Sequence, residues 1–173
     1  MLINFNELSK LRNENKDKVI VSVIGSFDLF HYEHLRYLQD AKNLGDILVV
    51  ILKDDYLVGL KGDNRPIISL DHRIAILDEL RSVDYIVVAT KEIYEDSKEK
   101  INVECNEKSK NWLYMFNDIL KELQPDILYH ENTHEYDFAR SYVSKYNIKL
   151  VERERTAIVS TTKIINKIKE KGN

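Results

Sequence analysis

His31 and His34 stand three residues apart, a few positions after Gly25-Ser26, and that grouping is suited to phosphate chemistry. An imidazole can donate a hydrogen bond to a phosphate oxygen, or carry positive charge while negative charge builds in a transition state. A spacing of three lets both rings project from one side of a first helical turn. A glycine admits close backbone approach, and the free N–H groups and dipole of a helix N-terminus favour an anion. On their own the histidines would read as surface residues of a helix; the strand, glycine and helix start around them favour function.

Two further groups could serve the same anion. Leu60 to Pro66 (LKGDNRP) carries Lys61 and Arg65, a mobile point charge and a planar fork able to clamp a transferring phosphoryl group. In isolation such cations read as a solvated loop. Arg155-Thr156 leads to Ser160-Thr161-Thr162-Lys163 at the start of a final helix. There Ser160 can cap the helix, while the hydroxyls and free N–H groups of the first turn can receive phosphate oxygens.

Positioning these groups requires a sheet with helices. Val19 to Ile24 is almost wholly apolar and β-branched, as expected of a strand covered on both faces, and Asp46 to Leu52 reads alike. Helices are expected from about His31 to Leu44, ended by Gly45, and from Leu70 to Arg81, with Ser69 as cap. Tyr85 to Ala89, Ile127 to His130 and Ile148 to Val151 read as further strands, and a helix carrying Phe138, Tyr142 and Val143 separates the last two. Residues 3 to 13 predict a short amphipathic helix, 91 to 110 a polar surface excursion, 112 to 123 a helix, and Thr161 to Lys169 the last helix. The alternation predicts an α/β fold: a doubly wound parallel sheet of about five strands with helices on both faces, binding ligands beyond the carboxyl ends of the strands.

Length and composition bound the rest. A chain of 173 residues, 43% hydrophobic, is expected to form a single domain over 1–173. Net charge is -3, so no global positive field draws it to nucleic acid or an anionic membrane surface. The longest apolar run, Ile47 to Leu52, is too short to span a membrane, which with the lack of an apolar leader predicts a cytoplasmic protein. Cys105 has no second cysteine to pair with, and His130, Glu131 and His134 lack diagnostic metal-ligand spacing. No protein metal ligand is expected.

GSFDLFHYEHLRYL (25–38) resembles the G-[ST]-F-D-x-x-H-x-G-H signature of the HxGH nucleotidyltransferases, with Glu33 where that signature has glycine. LKGDNRPIISLDHRIAILDELRSVDYIV is similar to the corresponding stretch of bacterial heptose-phosphate adenylyltransferases, and RTAIVSTTKI to a segment of glycerol-3-phosphate cytidylyltransferases. The resemblance implies a Rossmann-like nucleotidyltransferase fold, and transfer of a nucleotidyl group from ATP or CTP to a small phosphorylated acceptor, a sugar phosphate being favoured. It also implies Mg²⁺ carried with the triphosphate, and a homodimer. By the same resemblance His31, His34, Lys61 and Arg155 are the catalytic candidates, and Gly25, Ser26, Phe27, Asp28, Arg65, Ser160, Thr161 and Thr162 the nucleotide-binding ones. A cytidylyltransferase for glycerol phosphate, a flavin-completing adenylyltransferase and a nucleotide-binding protein without catalysis are the rivals. The last rests on Glu33, whose carboxylate would repel a triphosphate if it pointed inward, and on the altered 129–137 loop. A tRNA-charging enzyme is disfavoured by chain length and the absence of a basic patch.

Overall fold

The computed structural model describes residues 1–60, 62, 64–102, 104–131, 143, 146–154 and 159–171. Among these, six strands form one wholly parallel sheet in the order β1-β4-β3-β2-β5-β6. The strands are β1 (Leu2–Ile3), β2 (Ile20–Gly25), β3 (Ile47–Lys53), β4 (Tyr85–Ala89), β5 (Ile127–Glu131) and β6 (Lys149–Arg153). From β2 the chain winds outward through β3 and β4, then crosses back to place β5 on the other side of β2. The reversal puts a crevice at the carboxyl ends of β2 and β5, where ligands of open α/β sheets bind.

Alternate strand residues supply two apolar faces. Ile20, Ile47, Val49, Ile51, Val87 and Leu128 join one core cluster, while Val21, Val23, Leu48, Val50, Leu52 and Ile86 join the other. The period of two within continuous apolar runs is the signature of strands covered on both sides. Helices α1 (Leu8–Glu14), α5 (Lys91–Lys100) and α6 (Glu107–Leu123) contribute to the first cluster, and α2 (Tyr32–Lys42) and α4 (Leu70–Asp78) to the second. Helix α3 (Asp55–Gly59) adds Leu57 to the first cluster, and α7 (Thr161–Lys171) follows β6 near the end of the chain. At the opposite, amino ends of the strands, aspartate side chains accept the backbone N–H groups that the ladder leaves open: Asp46 from Val19 at 2.8 Å, Asp84 from Leu48 at 2.7 Å and Asp126 from Ile20 at 2.8 Å.

Three expectations need correction. The sheet has six strands because Leu2 and Ile3 pair with Ile86 and Val87, so the amphipathic helix predicted over 3–13 is confined to Leu8–Glu14. The turn between them is set by a capping box in which Asn4 and Glu7 satisfy each other's backbone groups, a polar signal that the apolar spacing overrode. No helix is expected between Leu52 and Leu70, yet α3 forms there, capped by Asp54, whose carboxylate accepts from Leu57 N at 2.7 Å. The excursion expected over 91–110 is largely α5 and the start of α6. Thr90 and Asn106 cap them, and polar contacts join them beside the apolar ones: Tyr94 hydroxyl to Asn111 at 2.7 Å and Ser97 hydroxyl to Asp118 at 3.0 Å. Polar side chains that pack against a neighbour look like solvated ones in a hydropathy pattern. The helix predicted to carry Phe138 and Tyr142 lies outside the described residues, apart from Val143, which is buried.

Candidate active site

Gly25 ends β2 at the crevice, and the next residues turn sharply. A Cβ on Gly25 would come within 2.5 Å of the Phe27 ring, so only glycine leaves room for that ring to fold back over the strand. Phe27 and Leu29 adopt φ of 48° and 46°, left-handed backbone that costs non-glycine residues on the order of 1–3 kcal/mol each and that clusters at functional sites. Phe27 is 4% exposed and its ring packs edge-on against His34 at 5.3 Å. It thus presents no open ring face to solvent.

His31 is the N-cap residue of α2 and His34 lies in its first turn. Their rings are stacked, with centroids 3.8 Å apart and planes 15° apart, so the expected common projection is realised. His31 Nδ1 is buried and has no hydrogen-bond partner among the described residues. Buried polar atoms are nearly always satisfied, and a bare one beside a helix N-terminus is a place for a ligand. Burial lowers the His31 pKa below the ordinary 6.5, partly offset by the Glu33 carboxylate. The ring is therefore largely neutral near pH 7, and one nitrogen carries a proton for donation.

Asp28 turns its carboxylate away from this turn. It accepts from Ile67 N at 3.0 Å and Ile68 N at 2.9 Å, and lies 3.9 Å from the Arg65 guanidinium. Its backbone carbonyl accepts the Thr161 hydroxyl at 2.9 Å, and Arg65 also donates to Thr162 Oγ1 at 3.4 Å. Ser160 caps α7, its hydroxyl accepting from Lys163 N at 3.2 Å. The structure thereby joins the three sequence segments at one corner, through Asp28 of 25–34, Arg65 of 60–66, and Thr161 and Thr162 of 160–163. Lys61 and Arg155 lie outside the described residues, as do Thr156 and His134.

Two residues at this corner were not singled out, or not placed, by sequence reasoning. Arg73 of α4 is 1% exposed and gathers the carbonyls of Ser26 (2.6 Å), Lys53 (2.8 Å) and Ile68 (3.0 Å) with the Asp55 carboxylate (2.7 Å). One guanidinium thus ties the ends of β2 and β3 to the loop before α4. Glu33, whose direction the sequence left open, points to β6 and pairs with Arg153 at 2.8 Å; Arg153 also meets Asp40 at 3.3 Å. Both residues sit at core-facing spacings, Arg73 with Leu70 and Leu77, and Glu33 with Tyr37 and Ala41. A charge in an apolar stripe was the available signal.

His130 stands at the carboxyl end of β5, 9% exposed, with Nδ1 against the Glu131 carbonyl. Burial lowers its pKa below 6.5, the Glu131 carbonyl and the Glu152 charge oppose the shift, and the Lys53 charge adds to it. With His31 and His130 both depressed, the unfolded chain binds more protons than the folded one once pH falls below 6.5. Stability is then present above that value and lost as pH falls from it toward the folded-state pKa values. Thermal unfolding midpoints should therefore decline between about pH 7 and pH 5, and His130→Asn should flatten the decline; an unchanged slope in that variant would contradict the assignment. Among the described residues no three His, Cys, Asp or Glu side chains are grouped to hold a metal ion. No described helix is long and apolar enough to cross a membrane.

Residues 22–167 match the family described as cytidylyltransferase-like. The bifunctional protein HldE of Campylobacter fetus subsp. fetus is 34% identical over 171 residues, 97% of this chain and 31% of that protein. HldE of Helicobacter pylori is 50% identical over 82 residues, 47% of this chain and 18% of that protein. The chain thus spans less than a third of the length of these curated relatives. A lipopolysaccharide core biosynthesis protein from Thermoplasma volcanium superposes with a TM-score of 0.57 at 25% identity, covering 80% of this chain and 98% of that one. Pantoate-beta-alanine ligase from Francisella tularensis superposes with a TM-score of 0.68 at 19% identity, over 98% of this chain and 78% of that one, a likeness of fold.

Proposed function

The chain belongs to the cytidylyltransferase-like family, and from that premise we propose that it transfers a nucleoside monophosphate from ATP or CTP to the phosphate of a small sugar phosphate, releasing pyrophosphate. The observation that carries this reading is the stacked His31–His34 pair at the start of α2, with His31 Nδ1 unpartnered among the described residues, at the point where the strand order reverses. A sugar phosphate is preferred to glycerol phosphate because the middle of the chain resembles heptose-phosphate adenylyltransferases and the HldE proteins are its curated relatives.

In this mechanism an oxygen of the acceptor phosphate attacks the α-phosphorus of the triphosphate, and the bond from that phosphorus to the bridging oxygen of pyrophosphate breaks. The acceptor is already an anion, so no covalent enzyme intermediate is required. The protein aligns the two phosphates and stabilises charge on the α-phosphate. His31 and His34 donate to its oxygens, and Lys61, Arg65 and Arg155 neutralise the triphosphate. The first turn of α7, with Thr161 and Thr162, receives further phosphate oxygens. Glu33 does not oppose this, because its carboxylate is committed to Arg153. The reading includes a cytoplasmic location, where nucleoside triphosphate is available, and a homodimer.

Pyrophosphate release measured with ATP and with CTP, each against heptose phosphate, other sugar phosphates and glycerol phosphate, tests the proposal. Turnover with a sugar phosphate is the expected result. Nucleotide binding without turnover for any pair would overturn it in favour of a nucleotide-binding protein.

A further inference from the structure

The C-terminal anion segment is fastened to the histidine segment at two points. At one end, Arg153, the last residue of β6, is 12% exposed at its side chain and pairs at 2.8 Å with the 9%-exposed side chain of Glu33. At the other end, the Thr161 hydroxyl donates to the Asp28 carbonyl at 2.9 Å. Asp28 and Glu33 lie on either side of His31, so residues 154–160 connect two anchors on the same short stretch of chain. We propose that the Glu33–Arg153 pair is a positioning clamp that holds the histidine turn in register with the anion-binding start of α7, making nucleoside triphosphate affinity depend on it.

The carboxylate stands where the signature of the resembling family has glycine, a residue with no side chain to make such a link. Here the first turn of α2 is joined to β6 by an ion pair between largely buried groups, which is stiffer than apolar contact because both its direction and its length are fixed. Arg153 extends a second hydrogen bond, 3.3 Å long, to Asp40 two turns further along α2. The guanidinium therefore bridges two points of one helix and fixes its rotation as well as its distance. Neither Glu33 nor Arg153 is assigned contact with substrate; each acts through the groups it holds.

This inference rests on the nucleotide site proposed above, and the experiment separates the two. Binding of MgATP and MgCTP is measured by calorimetry on the intact chain and on Glu33→Gln, Arg153→Met and the Glu33→Gln/Arg153→Met double variant, with unfolding midpoints recorded for each. The double variant guards against misfolding, because it leaves no charge behind at the buried end of the pair; Asp40, which also loses Arg153, is partly exposed and stays 3.9 Å from Arg36. Each single change is expected to weaken nucleotide affinity about tenfold or more, and the double change to weaken it by less than the product of the two, as for residues that act as one unit. Glu33→Asp should recover part of the loss. Affinities equal to that of the intact chain, or midpoints that fall while the affinity of the folded fraction stays constant, would overturn the clamp. If the intact chain binds neither nucleotide, the clamp and the proposed site fail together; if it binds and the variants bind equally well, only the clamp fails.

Discussion

His34→Ala lowers turnover by at least about 100-fold while leaving nucleotide affinity within a few-fold of the intact protein, the pattern expected when a donor to the developing transition-state charge is removed. His34 is boxed by the rings of His31 at 3.8 Å, Phe27 at 5.3 Å and Phe30 at 5.6 Å, so its orientation is fixed before any substrate arrives. Such preorganisation is why the loss falls on kcat: nothing has to reorient at the moment of reaction. His34→Gln, which keeps a donor on a flexible stem, should fall between the two. Single-turnover measurements with saturating triphosphate provide the check, and activity within threefold of the parent would remove His34 from the mechanism.

The largest expected effect on stability belongs to Arg73. Arg73→Met preserves the apolar stem and removes the 1%-exposed guanidinium, taking its hydrogen bonds from the Ser26, Lys53 and Ile68 carbonyls. Asp55 is half exposed and can be solvated, so the ion pair itself contributes little to the loss. The unsatisfied carbonyls dominate, and together they should cost about 3 kcal/mol or more. For a chain of this size that corresponds to a midpoint lower by roughly 6–12 °C. A scanning-calorimetry shift below about 2 °C would show that water or a neighbouring side chain replaces the guanidinium at little cost. Because Ser26 sits between Gly25 and the strained turn at Phe27, nucleotide affinity should fall along with stability.

What the sequence revealed depended on whether the determining contacts were local. The GSFDLFHYEH segment was legible because its glycine, its helix start and its histidines lie within ten residues and their spacing alone brings them together. β2 and β3 were legible because continuous β-branched runs leave few alternatives. Arg73 and Glu33 were not, since Arg73 reaches partners as far as 47 residues away and Glu33 pairs with one 120 residues away. A pairwise term across that distance leaves only a charge interrupting an apolar stripe. Helix α5 was obscured for a related reason: Ser97 and Tyr94 are buried by hydrogen bonds with α6, which a hydropathy pattern counts as exposure. The edge strand Leu2–Ile3 was hidden by its brevity, two residues carrying no period of their own.

Asp46, Asp84 and Asp126 close the amino edge of the sheet with the backbone N–H groups of Val19, Leu48 and Ile20. Their placement divides the molecule into a foundation and a workshop. On the foundation side, charge is spent on holding strands in register, and a substitution there changes how well the chain folds without changing what it could recognise. On the opposite edge the connections from strand to helix can differ in length with no disturbance to that register, and the one between β4 and β5 holds both α5 and α6. New acceptor preferences could therefore be built by exchanging those loops while the aspartates below are left as they are.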